Sequence, residues 1–180
     1  MLETTIFYTP ELRQLWPAPL AKRWAAAYPC LFDADDLRIT TKQPKNHFNE
    51  WFAAIHLFHR DGAVSLVEKY LFSNHGRKKA LVEEVLTTQQ RTTLDRILAE
   101  FQIQPPDLFV LAPDRARFWF AEVKGPGDRL HDAQQQSHLA IHQQLNVPVE
   151  VILVRPCMPS ANRPNGMAPN KLSQNLTAEP

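Results

Sequence analysis

The segment Val149-Glu150-Val151-Ile152-Leu153-Val154 is apolar at nearly every position. Side chains alternate between the two faces of a strand, so a strand apolar on both faces has to be covered on both sides. That places it inside an α/β sheet. The residues before it extend the reading. Leu130 to Leu145 carry helical spacing with Asn146 as the cap, and Arg117 to Val123 read as a second strand. Strand, helix and strand form one crossover, which is right-handed when the strands are parallel. Lys124-Gly125-Pro126-Gly127 breaks the pattern between the first strand and the helix.

The chain upstream adds to this sheet. Asp107 to Ala112 read as a strand, joined to Arg117–Val123 by the four-residue hairpin loop Pro113-Asp114-Arg115-Ala116. Val64 to Phe72, rich in Val, Leu, Tyr and Phe, read as a further strand. Between them Arg77 to Phe101 read as one long helix or two, stopped by Gln104-Pro105-Pro106. From Asn46, a favourable capping type, Phe48, Trp51, Phe52, Ile55 and Phe58 recur at helical spacing, and Gly62 stands where a C-terminal cap belongs. Ala53, Ala54 and Leu57 make this helix apolar nearly all round, so it is expected to be buried.

The ends of the chain read differently. Residues 1–45 hold Trp16, Trp24, Tyr28, Leu31 and Phe32 among prolines, and are expected to form a cap with one short helix from Leu20 to Tyr28. Residues 156–180 contain five of the 15 prolines and no apolar period, and are expected to be a disordered tail. The expected organisation is therefore a cap (1–45), one α/β domain (46–155) with a helical insertion (77–101), and a tail (156–180).

Composition narrows the class. At 44% hydrophobic and 22% charged, the chain is neither wholly disordered nor collagen-like. Its apolar runs are too short for a bilayer-spanning helix, and its start lacks the basic and apolar blocks of a secretory signal. Cys30 and Cys157 are far apart and neither sits in a CxxC pair, so a reducing, cytoplasmic compartment is expected. The net charge of +1 provides no bulk basic footprint for nucleic acid.

The chemistry gathers on the hairpin. Glu122 and Lys124 share one face of their strand with Phe118 and Phe120. If Ala112 faces Arg117 across the loop, Asp107 falls opposite Glu122, with Cβ atoms roughly 4.5–5.5 Å apart. Two carboxylates that close repel in a dry site, and a bound cation relieves them; oxygen ligands favour Mg²⁺ or Mn²⁺. A slip of one residue would break the pairing. The alternative is a solvated strand edge, against which the two phenylalanines count. Glu50, on a helix with no exposed face to spare, also needs a partner. That partner is Arg60, Lys69 or a cap N–H group on one reading, and the same cation on the other. His138 and His142 stand four apart on the predicted helix, but no HExxH glutamate accompanies them and no zinc site is expected there.

Pro106-Asp107, followed after fourteen residues by Glu122-Val123-Lys124, matches the PD-(D/E)xK nuclease pattern. The continuation Gly125-Pro126-Gly127-Asp128-Arg129-Leu130, then Gln134, a helix and Val149-Glu150-Val151, resembles the VRR-NUC (virus-type replication-repair nuclease) family. The resemblance is strong from Pro106 to Val154 and looser from Asn46 to Phe72. It implies a restriction-endonuclease-like core: helix, mixed sheet with hairpin, crossover helix and strand. It also implies a metal-dependent DNA nuclease, with branched or structured DNA in replication and repair as the substrate class. Asp107, Glu122 and the Val123 carbonyl would hold Mg²⁺ or Mn²⁺, with Glu50 as the helix-borne acid. Lys124 would activate water and stabilise charge at phosphorus, and Gln134 would face the site. The chain departs from the family pattern at Gln104-Pro105, where a glycine and a hydrophobic residue usually stand.

Arg77, Lys78, Lys79 and Arg129 are the expected contacts to the DNA backbone, with Lys42 and Lys45 next. For residues 77–79 the alternative is a solvated first helical turn. A two-fold homodimer would offer two sites to a symmetric junction. The rival functions are an antibacterial toxin nuclease with the same chemistry and a catalytically silent DNA-binding module.

Overall fold

The computed structural model describes residues 2–67, 70–71 and 75–157. The expected disordered tail therefore lies, beyond Cys157, outside the described residues. One five-stranded mixed sheet, in the order β1-β5-β4-β3-β2, organises the chain. Its strands are β1 (Leu2–Tyr8), β2 (Val64–Val67), β3 (Leu108–Leu111), β4 (Phe118–Lys124) and β5 (Val149–Pro156). β2, β3 and β4 are antiparallel neighbours, while β5 runs parallel to both β4 and β1. Helices cover both faces. These are α1 (Pro10–Gln14), α2 (Leu20–Ala27), α3 (Ala34–Lys42), α4 (Phe48–Asp61), α5 (Gly76–Val85), α6 (Thr88–Phe101) and α7 (Asp132–Leu145).

Strand alternation divides the interior into two cores. On one face Leu108, Val110, Ala121, Val123, Ile152 and Val154 meet α4 and the N-terminal helices. Trp24, Phe48 and Phe52 pack there, and Phe32 stacks on Trp51 at 3.8 Å. Such ring pairs add about 0.5–1.5 kcal/mol each beyond their buried area. On the other face Phe109, Leu111, Phe120 and Val149 meet α5, α6 and α7 through Val82, Leu94, Ile97, Ile141 and Leu145. Being covered on both sides explains why β3 and β5 read as apolar runs.

The hairpin register is the one that brings Asp107 and Glu122 together. Leu111 pairs with Phe118 and Leu108 with Ala121, and the Ala112 amide donates to the Arg117 carbonyl at 2.9 Å. Continued by one residue, this ladder sets Asp107 across from Glu122. α4 ends at Gly62, whose left-handed φ of 68° suits a residue without a Cβ. Its start differs from the expected cap, because His47 rather than Asn46 precedes it and the Asn46 carbonyl accepts from the Trp16 indole at 2.9 Å.

The N-terminal region contributes more than a cap with one helix. β1 adds an edge strand to the sheet, held by β5. Pro10 opens α1 instead of preventing it, because a first-turn proline loses no hydrogen bond and the Thr9 hydroxyl accepts from the Leu12 amide. Asp33 and Asp36 cap α3 reciprocally. The Arg77–Phe101 stretch is two helices, divided where Thr87 and Gln90 form a second capping box. β2 covers Val64–Val67; of the rest of the expected strand, Tyr70 and Leu71 lie in a turn, and residues 68, 69 and 72 fall outside the described residues.

Candidate active site

The C-terminal end of β4 is where the two helical layers and the hairpin converge. Glu122 and Lys124 leave β4 on the side of Phe120, toward α7. Asp107 lies just before β3. Its Oδ2 accepts from the Val123 amide at 2.8 Å, so a side chain continues the β3–β4 ladder by one rung. The residue before it is fixed as well, since the buried Tyr70 hydroxyl donates to the Pro106 carbonyl at 2.7 Å. Val123 packs its side chain into the α4 core.

α7 completes the cluster. Gln134 occupies the third position of its first turn, and its Oε1 accepts from the His131 amide at 3.2 Å as part of the helix cap. The same oxygen accepts from Lys124 Nζ at 3.2 Å, while Gln134 Nε2 donates to Glu122 Oε1 at 2.7 Å. Lys124 Nζ stands 2.7 Å from that Glu122 oxygen, which closes a ring of three side chains. Glu122 is 4% exposed.

Glu50 reaches this end of the sheet from the first turn of α4. Besides its burial, the carboxylates of Asp128 and Glu122 disfavour its charge, while Arg13 and its own backbone N–H favour it. Arg60, one of its expected partners, is committed to Glu150 and Asp61 instead. Lys69, another, lies outside the described residues. The loop after β4 lets α4 come close. Gly125-Pro126-Gly127-Asp128 is a tight turn with Gly127 at φ 83°, closed by the Asp128 amide on the Gly125 carbonyl. A Cβ on Gly125 would lie 2.6 Å from Asn49 Nδ2, so any larger residue there would make the Asn49 side chain shift. Arg155 donates to the Lys124 and Gly125 carbonyls and braces the same turn.

The electrostatics follow from this crowding. Burial pushes the Asp107 carboxyl well above the ordinary carboxylate range, and the neighbouring Glu122 and Glu50 push it further. Burial also raises Glu50. Glu122 goes the other way: burial opposes its charge, but His138 and Lys124 outweigh that and hold it ionised. The two carboxyls thus shift in opposite directions, Asp107 upward and Glu122 downward.

Asp107, Glu122, Lys124 and Gln134 are therefore brought together, with Glu50 within electrostatic reach. Oxygens of Glu50, Asp107 and Glu122 do not all lie within 4.8 Å of one another. The basic residues fare differently. Lys78 is fully buried, 2.6 Å from both an Asp36 oxygen and the Val67 carbonyl, so it is not a surface cation and its expected contact with DNA is corrected. The cause is a buried carboxylate, which requires a buried partner. Arg77 donates to the Cys30 and Leu31 carbonyls and reaches Asp33, binding the N-terminal region to α5. Lys79 and Arg129 are exposed.

Three features escaped sequence reasoning. Tyr70 is one. Another is His138, 3% exposed, with Nε2 3.7 Å from Glu122 Oε2. Its place one helical turn beyond Gln134 was the available signal. The third is a close group of Asp33, Asp35 and His75. Its members have partners of their own: Asp33 caps α3 and meets Arg77, and Asp35 meets both His75 and Arg38. No described helix is long and apolar enough to cross a membrane.

Comparison with known proteins supplies the relatives. Residues 67–156 match the model of the VRR-NUC domain. Among solved structures, the chain is similar to paFAN1 bound to a 2-nucleotide 5′-flap DNA with gap. There the identity is 19% and the TM-score 0.44, over 89% of this chain and 38% of that one. A second structure, paFAN1 bound to a 1-nucleotide 5′-flap DNA with gap, matches at 26% identity and a TM-score of 0.40, over 62% of this chain and 21% of that one. The chain thus spans well under half the length of these structures. No curated protein matches it. The matched span takes in Asp107, Glu122, Lys124 and Gln134 and covers half of the chain, which belongs to the VRR-NUC family of nucleases.

Proposed function

We propose that this chain is a metal-dependent DNA nuclease of the PD-(D/E)xK type that hydrolyses phosphodiester bonds. The observation that carries the proposal is the closed contact of Glu122, Lys124 and Gln134 beside Asp107. Acidic oxygens, a lysine and an orienting amide there share one end of the sheet.

A hard divalent cation fits this donor set. Glu50 and Glu122 both drive Asp107 toward protonation, and a cation among them would reverse that. Asp107 and Glu122 would hold Mg²⁺ or Mn²⁺, with the Val123 carbonyl and Glu50 as further oxygen donors. When bound, the metal supplies charge neutralisation at the scissile phosphate and lowers the pKa of coordinated water. The rest falls to side chains. Lys124 turns from Glu122 toward the phosphate and stabilises the charge that develops on it. Gln134 keeps Glu122 aimed when Lys124 departs. Asp107 would have to be ionised to hold the cation, against the burial and the neighbouring carboxylates that raise its pKa. Lys79 and Arg129 contact the DNA backbone without reading its sequence, and Lys42 and Lys45 extend that path. Branched or structured DNA is the proposed substrate, in replication or repair and in a cytoplasmic setting, and the active form is a homodimer.

The test is cleavage of a panel of single-stranded, duplex, flap and four-way-junction DNA with Mg²⁺ or Mn²⁺. Asp107→Ala and Lys124→Ala are each expected to lower the rate by roughly 10²–10³-fold or more with the fold retained. Cleavage at the wild-type rate in both folded variants would refute the assignment.

A further inference from the structure

The orientation of Glu122 raises a question that the ring with Lys124 and Gln134 leaves open. Both donors sit on one oxygen, Oε1. A carboxylate held at one oxygen still swings about that point. The other oxygen, Oε2, has His138 Nε2 at 3.7 Å, a polar approach slightly longer than a hydrogen bond. His138 is 3% exposed, and its Nδ1 is buried without a hydrogen-bond partner. Burying an imidazole this way costs free energy that an apolar residue would avoid. Its neighbours on the inner face of α7 are the apolar Ile141 and Leu145, so packing alone does not call for a ring with two nitrogens. The imidazole instead extends its polar edge to Glu122.

We propose that His138 is a positioning residue for Glu122: with Gln134 one helical turn earlier, it makes α7 a two-point clamp on the two carboxylate oxygens. The inference rests on the proposed role of Glu122 in holding a divalent cation. Gln134 takes Oε1 and His138 takes Oε2, so helix geometry sets the plane of the carboxylate. When Lys124 moves to a phosphate, the clamp remains. Groups that orient a metal-holding side chain typically change metal affinity about 10–100-fold when removed. His138 touches neither substrate nor reacting atoms, so its effect acts through Glu122.

The test is Mn²⁺ binding by isothermal titration calorimetry, with thermal unfolding in EDTA as the control for folding. His138→Leu keeps bulk without a donor, and His138→Gln restores a donor of similar reach. The clamp predicts Mn²⁺ binding about tenfold weaker or more in His138→Leu and within about threefold of wild type in His138→Gln. A purely packing role predicts no rescue by glutamine, and Mn²⁺ affinity in folded His138→Leu within twofold of wild type overturns the clamp. If His138→Leu does not fold, His138→Asn, whose amide is too short to reach, replaces it. Asparagine weaker than glutamine by about tenfold supports the clamp, and equal affinities overturn it. Wild-type protein that takes up no Mn²⁺ while folded overturns the underlying metal reading itself, a result distinct from a wild type and a His138→Leu variant that bind equally.

Discussion

Asp107 carries opposite demands in the folded chain. Burial and the charges of Glu122 and Glu50 hold its proton on, while the Val123 amide favours the charged form. Its folded pKa lies above its unfolded one. The stability gained from keeping Asp107 protonated is complete below the unfolded carboxylate range and is lost as pH rises through the raised folded value. Metal-free protein should therefore weaken as pH rises from the ordinary carboxylate range through that raised value, and Asp107→Asn should flatten that decline. Asparagine retains an acceptor for the Val123 amide and adds a donor toward Glu122. At the upper end of that range the variant is expected to melt about 2–4 °C above wild type for each kcal/mol recovered. Scanning calorimetry in EDTA across that range checks this, and a variant that melts below wild type throughout contradicts it. Residues such as Asp107, Glu122 and Lys124 were legible because strand alternation and the hairpin loop set their register. His138 was not. Its spacing to His142 raises only a zinc pair, not expected for want of an HExxH glutamate, while its real neighbour, Glu122, is on another element.

At the scale of elements, the polar joints decide how the N-terminal region attaches to the sheet. Lys78 on α5 meets Asp36 on α3 and the carbonyl at the end of β2. In the sequence it belongs to the basic run Arg77-Lys78-Lys79, and nothing local distinguishes it from a solvated helical turn. Its burial depends on a partner far away along the chain. β1 was hidden for a similar reason, being a strand because β5 pairs with it, whereas α1 has a local signal, Thr9 capping a helix that Pro10 opens. α4, α7 and strands β3 to β5 needed no distant partner to be recognised, since their apolar periods are local. Removing one member of a buried pair leaves an uncompensated charge, so Lys78→Met is expected to cost about 3–5 kcal/mol. Replacing both, as Asp36→Leu with Lys78→Met, should recover much of that loss. Urea denaturation of both variants measures it. A single variant within about 1 kcal/mol of wild type would show that the joint does not hold these elements together.

The whole molecule carries little charge for the DNA nuclease proposed here, at a net +1. The proposed contacts with DNA rest on a few cations, of which Lys79 and Arg129 are exposed, so binding by one chain should be modest and should fall as salt rises. A two-fold dimer would double those contacts and present two sites together. Light scattering after gel filtration should then report twice the 20.7 kDa of one chain, and a monomer at working concentration would contradict the dimer. β1 is one of the two edge strands of the sheet, with Leu2 exposed at its start. The account depends most on whether the carboxylates at the end of β4 hold a divalent ion. Calorimetric titration of Mn²⁺ into folded wild-type protein and into folded Asp107→Ala tests this directly. Saturable uptake by the wild type that disappears in the variant is the predicted result; no uptake by the wild type, or uptake unchanged in Asp107→Ala, would contradict it.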